Sequence, residues 1–268
     1  MAEVATQVAW VAGATGYVGR AVVQSLAARG VVTWAHVRPD SPRLTEWSSR
    51  FDSLGTHVRV DTTPWEEEAL AAALVRAQPT LVFLLLGTTK ARARQARRAG
   101  RLPAAESYQA VDYGLSHLLL QAVRRAGLAP RIVLLSALGV GPDSRLAYLQ
   151  ARWQLEEELR TSGLETRIAR PAIITGADRE EPRPLERLGA KLGDGLLALA
   201  GLLGLRLLQA RYRSTNASLL AEALVGWGLH AGEVPAVLQG DDLRRPGPGA
   251  ELHEAHRQAD AGSREPGR

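Results

Sequence analysis

The chain has no cysteine, which excludes disulfides and thiolate metal sites. Lysine is nearly missing as well. Lys90 and Lys191 are the only two among 33 Lys plus Arg, a bias of coding composition. Aromatic residues make up 5% of the sequence, and the net charge of +5 is spread along its length, so no nucleic-acid surface is indicated. The longest apolar stretch, GLLALAGLLGLRLL at 195–208, is fourteen residues with an arginine inside it. A bilayer span needs about 20, so no transmembrane segment is expected. This stretch reads instead as a buried helix, or as the contact of a homodimer, another partner or a membrane surface. The N-terminus shows no charged region followed by an apolar one, so no secretory signal is expected and the protein is read as cytoplasmic.

At 268 residues one domain with a small appendage is the natural expectation. Apolar runs alternate with helical stretches. Strands are predicted at 7–12, 31–37, 57–60, 80–86, 131–136, 166–174 and 234–239, several of them apolar at consecutive positions, as strands covered on both faces should be. Helices are predicted at about 16–29, from TPWE at 63–66 onward, at 104–126, and from Tyr148 to Ser162. In TPWE, Thr63 is the expected cap, Pro64 the first-turn residue and Glu66 the closing acid of a capping box. The βαβα order predicts a doubly wound parallel sheet with helices on both faces. The domain is read as 1–240, with 177–233 supplying a small substrate-side region and 241–268 forming a tail without a packed core.

AGATGYVG, residues 12–19, follows the first strand and opens the first helix. Gly13 permits a sharp turn, Gly16 removes a side chain where backbone must approach a pyrophosphate, and Gly19 permits close helix packing. The helix N-terminus then offers unpaired N–H groups to the phosphates. GATGYVGR, with its GxxGxxG spacing, resembles the fingerprint of the extended and atypical short-chain dehydrogenase/reductases. FLLLGTT, ending at Thr89, is most similar to the Tat-interacting oxidoreductase-like branch and its NmrA-like neighbours. The resemblance runs from about residue 7 to 240 and implies a Rossmann-like fold with a bound nicotinamide dinucleotide.

It also implies site residues: Gly13, Thr15, Gly16, Tyr17, Val18 and Gly19 at the pyrophosphate, and Gly87 and Thr88 beside the ribose and diphosphate. Pro171, Ala172 and Ile173, in ARPAIITG, are implied at the nicotinamide carboxamide, and Asp61 at the adenine. A turn-forming aspartate is the plain alternative for Asp61. In HVRPD, residues 36–40, Arg38 stands where NAD-preferring members commonly carry an acid. A guanidinium there suits a 2′-phosphate, so NADP(H) is favoured over NAD(H). Asp40 is its close neighbour in sequence, and a solvated strand-end arginine is the alternative. The run 90–101 holds six cationic residues and no acid. It reads as a solvated loop or a clamp on an acidic group.

The family's catalysts use a tyrosine, a lysine four residues later and a serine. Residues i and i+4 share one helical face, so the cation stands beside the phenol. Here the matching residues are Ser136, Tyr148 and, in the lysine's place, Arg152. Arginine keeps the charge but is forked, bulkier and does not release a proton. Asp112, in YQAVDYG, resembles a residue on the core side of the neighbouring helix. Three functions are consistent with these features. One is an NADP(H)-dependent oxidoreductase acting on a small carbonyl or alcohol, unidentified, through a Ser136–Tyr148–Arg152 site. Another is a non-catalytic NADP(H)-binding sensor or regulatory protein, and a third is a docking component that acts through 195–208. A nucleotide-sugar epimerase fits the fold but has little chain for a sugar-nucleotide region. No metal site is expected.

Overall fold

The computed structural model describes residues 6–87, 109–172, 174 and 215–244. Seven strands, β1 (Val8–Ala12), β2 (Val32–His36), β3 (Val58–Asp61), β4 (Leu81–Leu84), β5 (Arg131–Leu135), β6 (Thr166–Arg170) and β7 (Val237–Gln239), form one sheet in the order β3-β2-β1-β4-β5-β6-β7. Every pairing is parallel. The helices are α1 (Tyr17–Ala27), α2 (Leu44–Asp52), α3 (Glu67–Ala77), α4 (Leu115–Arg125), α5 (Ala147–Thr161) and α6 (Ala217–Leu229), with a π-helical turn at Gln109–Gly114 leading into α4. This is the Rossmann-like α/β architecture expected from the alternation.

The strands are apolar on both faces because both faces are covered. Ala9 and Val11 of β1 join Leu81 and Phe83 of β4 in a core beneath α1, α2 and α6. Trp10 and Ala12 join Val82 and Leu84 in the opposite core, beneath α3, α4 and α5. Each buried Val, Leu or Phe in such a layer contributes about 1.5–3 kcal/mol.

The returning helix α6 lies along α1. Its end is fastened by the sheet: Arg131 Nη1 donates to the Gly228 carbonyl at 2.6 Å, and Arg167 donates to the carbonyls of Trp227 and His230. Cations there satisfy orphan carbonyls and oppose the negative end of the helix dipole.

The structure departs from the local expectations at three places. Thr63 does not cap α3, whose flanking residue is Glu66. The Asp61 carboxylate captures it instead, accepting from the Thr63 N–H at 3.0 Å and from its hydroxyl at 2.8 Å. Helix α2 was not predicted. Its Ser-rich sequence offers little propensity, and it is held by Trp47 and Phe51, four residues apart and buried on one face. The strand predicted over 166–174 stops at Arg170, although Ile174 forms an isolated parallel bridge with Thr215. The run 90–101, the apolar stretch 195–208, most of the substrate-side region and residues 245–268 of the tail lie outside the described residues.

Candidate functional site: a dinucleotide cleft

Strand β1 has β2 on one side and β4 on the other, so the loops after β1 and β4 diverge. Such a switch point opens a crevice at the carboxyl ends of the strands. A cleft of about 560 Å³ lies there. Gly13, Thr15 and Gly16 line it from the first turn, and His36, Arg38, Pro39 and Asp40 from the end of β2. Pro64 and Trp65 follow β3, Leu85, Leu86 and Gly87 follow β4, and Val111 and Leu115 close the side.

The glycines make the first turn possible. Gly13 has φ +86°, and a Cβ on it would lie 2.7 Å from the Leu85 carbonyl oxygen. A Cβ on Gly19 would lie 2.0 Å from the Gly13 carbonyl oxygen, so Gly19 makes room for its own turn rather than for the sheet. Gly16 flanks α1 with extended backbone, and no side chain caps the helix and no acid stands in its first turn. The positive dipole end of α1 therefore suits an external anion. Tyr17 and Val18 pack into the core behind the turn, which leaves their backbone as the part suited to phosphate. The residues fit a dinucleotide: a corner where glycines carry no side chain suits a diphosphate, and the lining continues from it to the ends of β2 and β4.

At the far end Arg38 Nε stands 3.7 Å from Asp40 Oδ1, with the two side chains 36% and 61% exposed. Asp61 is not among the lining residues. Its carboxylate is buried and turned back on Thr63, and Oδ2 is 3.9 Å from His36 Nε2. His36 and Trp65 were not anticipated as lining residues. Burial lowers the His36 pKa from its ordinary 6.5, against the Thr63 carbonyl and the Asp61 charge, which raise it.

Of the expected catalytic set, Arg152 lies against Tyr148 and Ser136 is engaged by another residue. Arg152 is buried, donating from Nη1 to the Leu135 carbonyl at 2.8 Å and from Nη2 to the Leu86 carbonyl and to Asp112 Oδ1, both at 2.7 Å. Its Cζ lies 5.5 Å from the centre of the half-buried Tyr148 ring. Arg152 thus ties together the ends of β4 and β5 and the turn that carries Asp112. Gly87 completes this joint, because a Cβ there would come within 3.1 Å of Arg152 Nη2.

Ser136 donates its hydroxyl to Glu156 Oε1 at 2.5 Å. Glu156 is fully buried and also accepts from Arg170 Nε at 3.0 Å and Arg160 Nη2 at 2.7 Å. Glu156 and Arg170 were missed by sequence reasoning. The signal was present as Tyr148, Arg152, Glu156 and Arg160 at steps of four along one face of α5.

Pro171 is buried, and its carbonyl accepts from the Leu138 N–H at 2.9 Å. Neither it nor Ala172 lines the cleft, and Thr88 and Ile173 lie outside the described residues. Among the described residues no His/Cys/Asp/Glu cluster suited to a metal occurs, and no helix is long and apolar enough to cross a membrane.

Residues 13–195 match the family model described as NAD(P)H-binding. The chain is 33% identical over 243 residues to Fmp52-1 of Aspergillus terreus, described as mitochondrial, with 86% of this chain and 94% of that protein covered. Among solved structures it resembles a short-chain dehydrogenase/reductase mutant of Serratia marcescens, with a TM-score of 0.55, 16% identity, and 88% and 98% of the two chains covered. It also resembles a short-chain dehydrogenase of Streptomyces avermitilis, with a TM-score of 0.53, 16% identity, and 97% and 96% covered.

The cytoplasmic expectation is corrected by the relatives, since the Fmp52 proteins of several fungi are mitochondrial by name. The chain belongs to the NAD(P)H-binding family, and the solved structures share its Rossmann-like fold.

Proposed function

We propose that this chain is a mitochondrial, dehydrogenase-type protein that binds NADP(H) in preference to NAD(H) and acts as an oxidoreductase on a small carbonyl or alcohol. The observation that carries the reading is the side-chain-free corner at Gly13, Gly16 and Gly19, opening on a cleft whose far end presents Arg38. The N-terminus of α1 would hold the diphosphate, and the Arg38 guanidinium a 2′-phosphate. Gly87 lines the cleft where the ribose and diphosphate would pass. When bound, the nicotinamide supplies or accepts the hydride. Tyr148 would exchange the proton with the substrate oxygen, with the Arg152 charge beside its ring and Ser136 as the hydroxyl at the end of β5.

Fluorescence titration tests the nucleotide preference. The wild type is expected to bind NADPH more tightly than NADH. Arg38→Ala is expected to weaken NADPH binding about 10- to 100-fold, the worth of a charge-assisted guanidinium–phosphate contact, with NADH nearly unaffected. Equal losses for both nucleotides would remove the 2′-phosphate assignment.

A specific observation favours a second reading, a non-catalytic NADP(H) sensor. Both terminal nitrogens of Arg152 are committed to protein oxygens, and the Ser136 hydroxyl is committed to Glu156. A carbonyl panel with NADPH separates the two readings. For the oxidoreductase, turnover is expected in the wild type, and Tyr148→Phe should lower it about 10²- to 10⁴-fold, the usual contribution of a general acid. Tight NADPH binding with no turnover, together with a gain of turnover in Arg152→Lys, would assign the chain as a sensor.

A further inference from the structure

His36 ends β2 with 3% of its surface exposed and borders the cleft. Its Nε2 is 2.8 Å from the Thr63 carbonyl oxygen. A carbonyl oxygen can only accept, so Nε2 carries the hydrogen. Burial keeps the ring neutral near pH 7 even with Asp61 nearby. A neutral imidazole protonated at Nε2 has a bare lone pair on Nδ1.

The neighbours do not use that lone pair. Trp10 and Trp65 cover the ring at centroid distances of 6.1 and 4.7 Å, yet the indole N–H of each is buried without an acceptor. Among the described residues no donor meets Nδ1. Nδ1 is not among the buried atoms left without a partner, and a ring nitrogen beside the cleft that no protein donor meets is open to water or to a donor on a bound molecule.

We infer that His36 Nδ1 accepts a hydrogen bond from an N–H or O–H donor on the adenosine half of the dinucleotide, making His36 a specificity residue of the cleft. The inference rests on the reading that a dinucleotide binds there. The end of β2 and the loop after β3 are the walls that flank the adenosine end, and the side chain stands between Arg38 and Trp65 among the lining residues. Two donors have the required chemistry, the adenine 6-amino group and a ribose hydroxyl. A neutral acceptor at this place discriminates against a base or sugar that lacks the matching donor, because the pocket nitrogen then stays unpaired.

The experiment titrates wild type and His36→Phe with NADH, its hypoxanthine analogue, which lacks the 6-amino group, and its 2′-deoxy and 3′-deoxy adenosine analogues. One analogue is expected to bind wild type about 3- to 10-fold more weakly than NADH, the range of a single neutral hydrogen bond, and that penalty should vanish in His36→Phe. Loss with the hypoxanthine analogue identifies the amino group, and loss with a deoxy analogue the hydroxyl. No penalty in wild type, or the same penalty in the variant, overturns the inference.

Should His36→Phe not fold, the wild-type imidazole ¹⁵N spectrum decides. The bare nitrogen shifts upfield on NADH addition if it accepts a hydrogen bond, and an unmoved resonance overturns the assignment. Failure of wild type to bind NADH and NADPH alike would instead bring down the dinucleotide reading itself.

Discussion

Alanine at position 19 is expected to abolish dinucleotide binding and to lower stability by about 1–3 kcal/mol or more, the usual scale of forced overpacking. The added methyl would lie 2.0 Å from the Gly13 carbonyl oxygen and 2.8 Å from its carbon, distances at which one backbone must leave. The turn cannot retreat easily, because Gly13 is itself pressed against Leu85 and Leu86 and its φ of +86° suits glycine. Moving the turn also moves the amides that would face the diphosphate, so one methyl damages both fold and site. Thermal melts and NADPH titration of Gly19→Ala measure the two effects. Gly226→Ala is the control, since a Cβ there meets nothing within 4 Å. It should melt at or above the wild-type temperature, as alanine favours a helix interior. Undiminished NADPH binding by Gly19→Ala would refute the corner as a phosphate cradle.

Removing the Asp112 carboxylate should cost about 3–5 kcal/mol, because it strands a buried charge. Arg152 and Asp112 are 3% and 0% exposed and meet at 2.7 Å. In Asp112→Leu the guanidinium keeps its two carbonyl partners but loses its counter-charge. Urea denaturation should show the loss. Adding Arg152→Met should recover part of it, since apolar groups of similar volume often replace a buried pair at little net cost. If Asp112→Leu alone is nearly neutral, the joint between the β4 and β5 loops is not held by this pair.

The seven strands were legible because the apolar runs of β1, β4 and β5 have to satisfy cores on both faces, a demand written at consecutive positions. The glycine corner was legible because the turn requires three absent side chains at fixed intervals. What failed to show was partnership across the sheet. Asp61 and Thr63 are two residues apart, and the hydrogen bonds between them redirected both, which no capping pattern could reveal. His36 and Trp65 face one another only after β2 and β3 pair. Arg152 read as a substitute for lysine, and its forked shape allowed the fold to use it as a three-way tie. The acid that engages Ser136 lies twenty residues on, at Glu156, and its pairing with Arg170 depends on the end of β6 lying beside α5.

The packing of α6 along α1 has a consequence for synthesis. Leu220, Ala221 and Leu224 share one core with Val22, Val23 and Leu26, and Glu222 pairs with Arg29 at 2.5 Å. Helix α1 therefore waits during synthesis for α6, which is made much later. Until residues 217–229 have emerged, the segment behind the glycine corner has an apolar stripe that α6 does not yet cover. A nascent chain arrested earlier would be a substrate for quality control before it could engage any nucleotide.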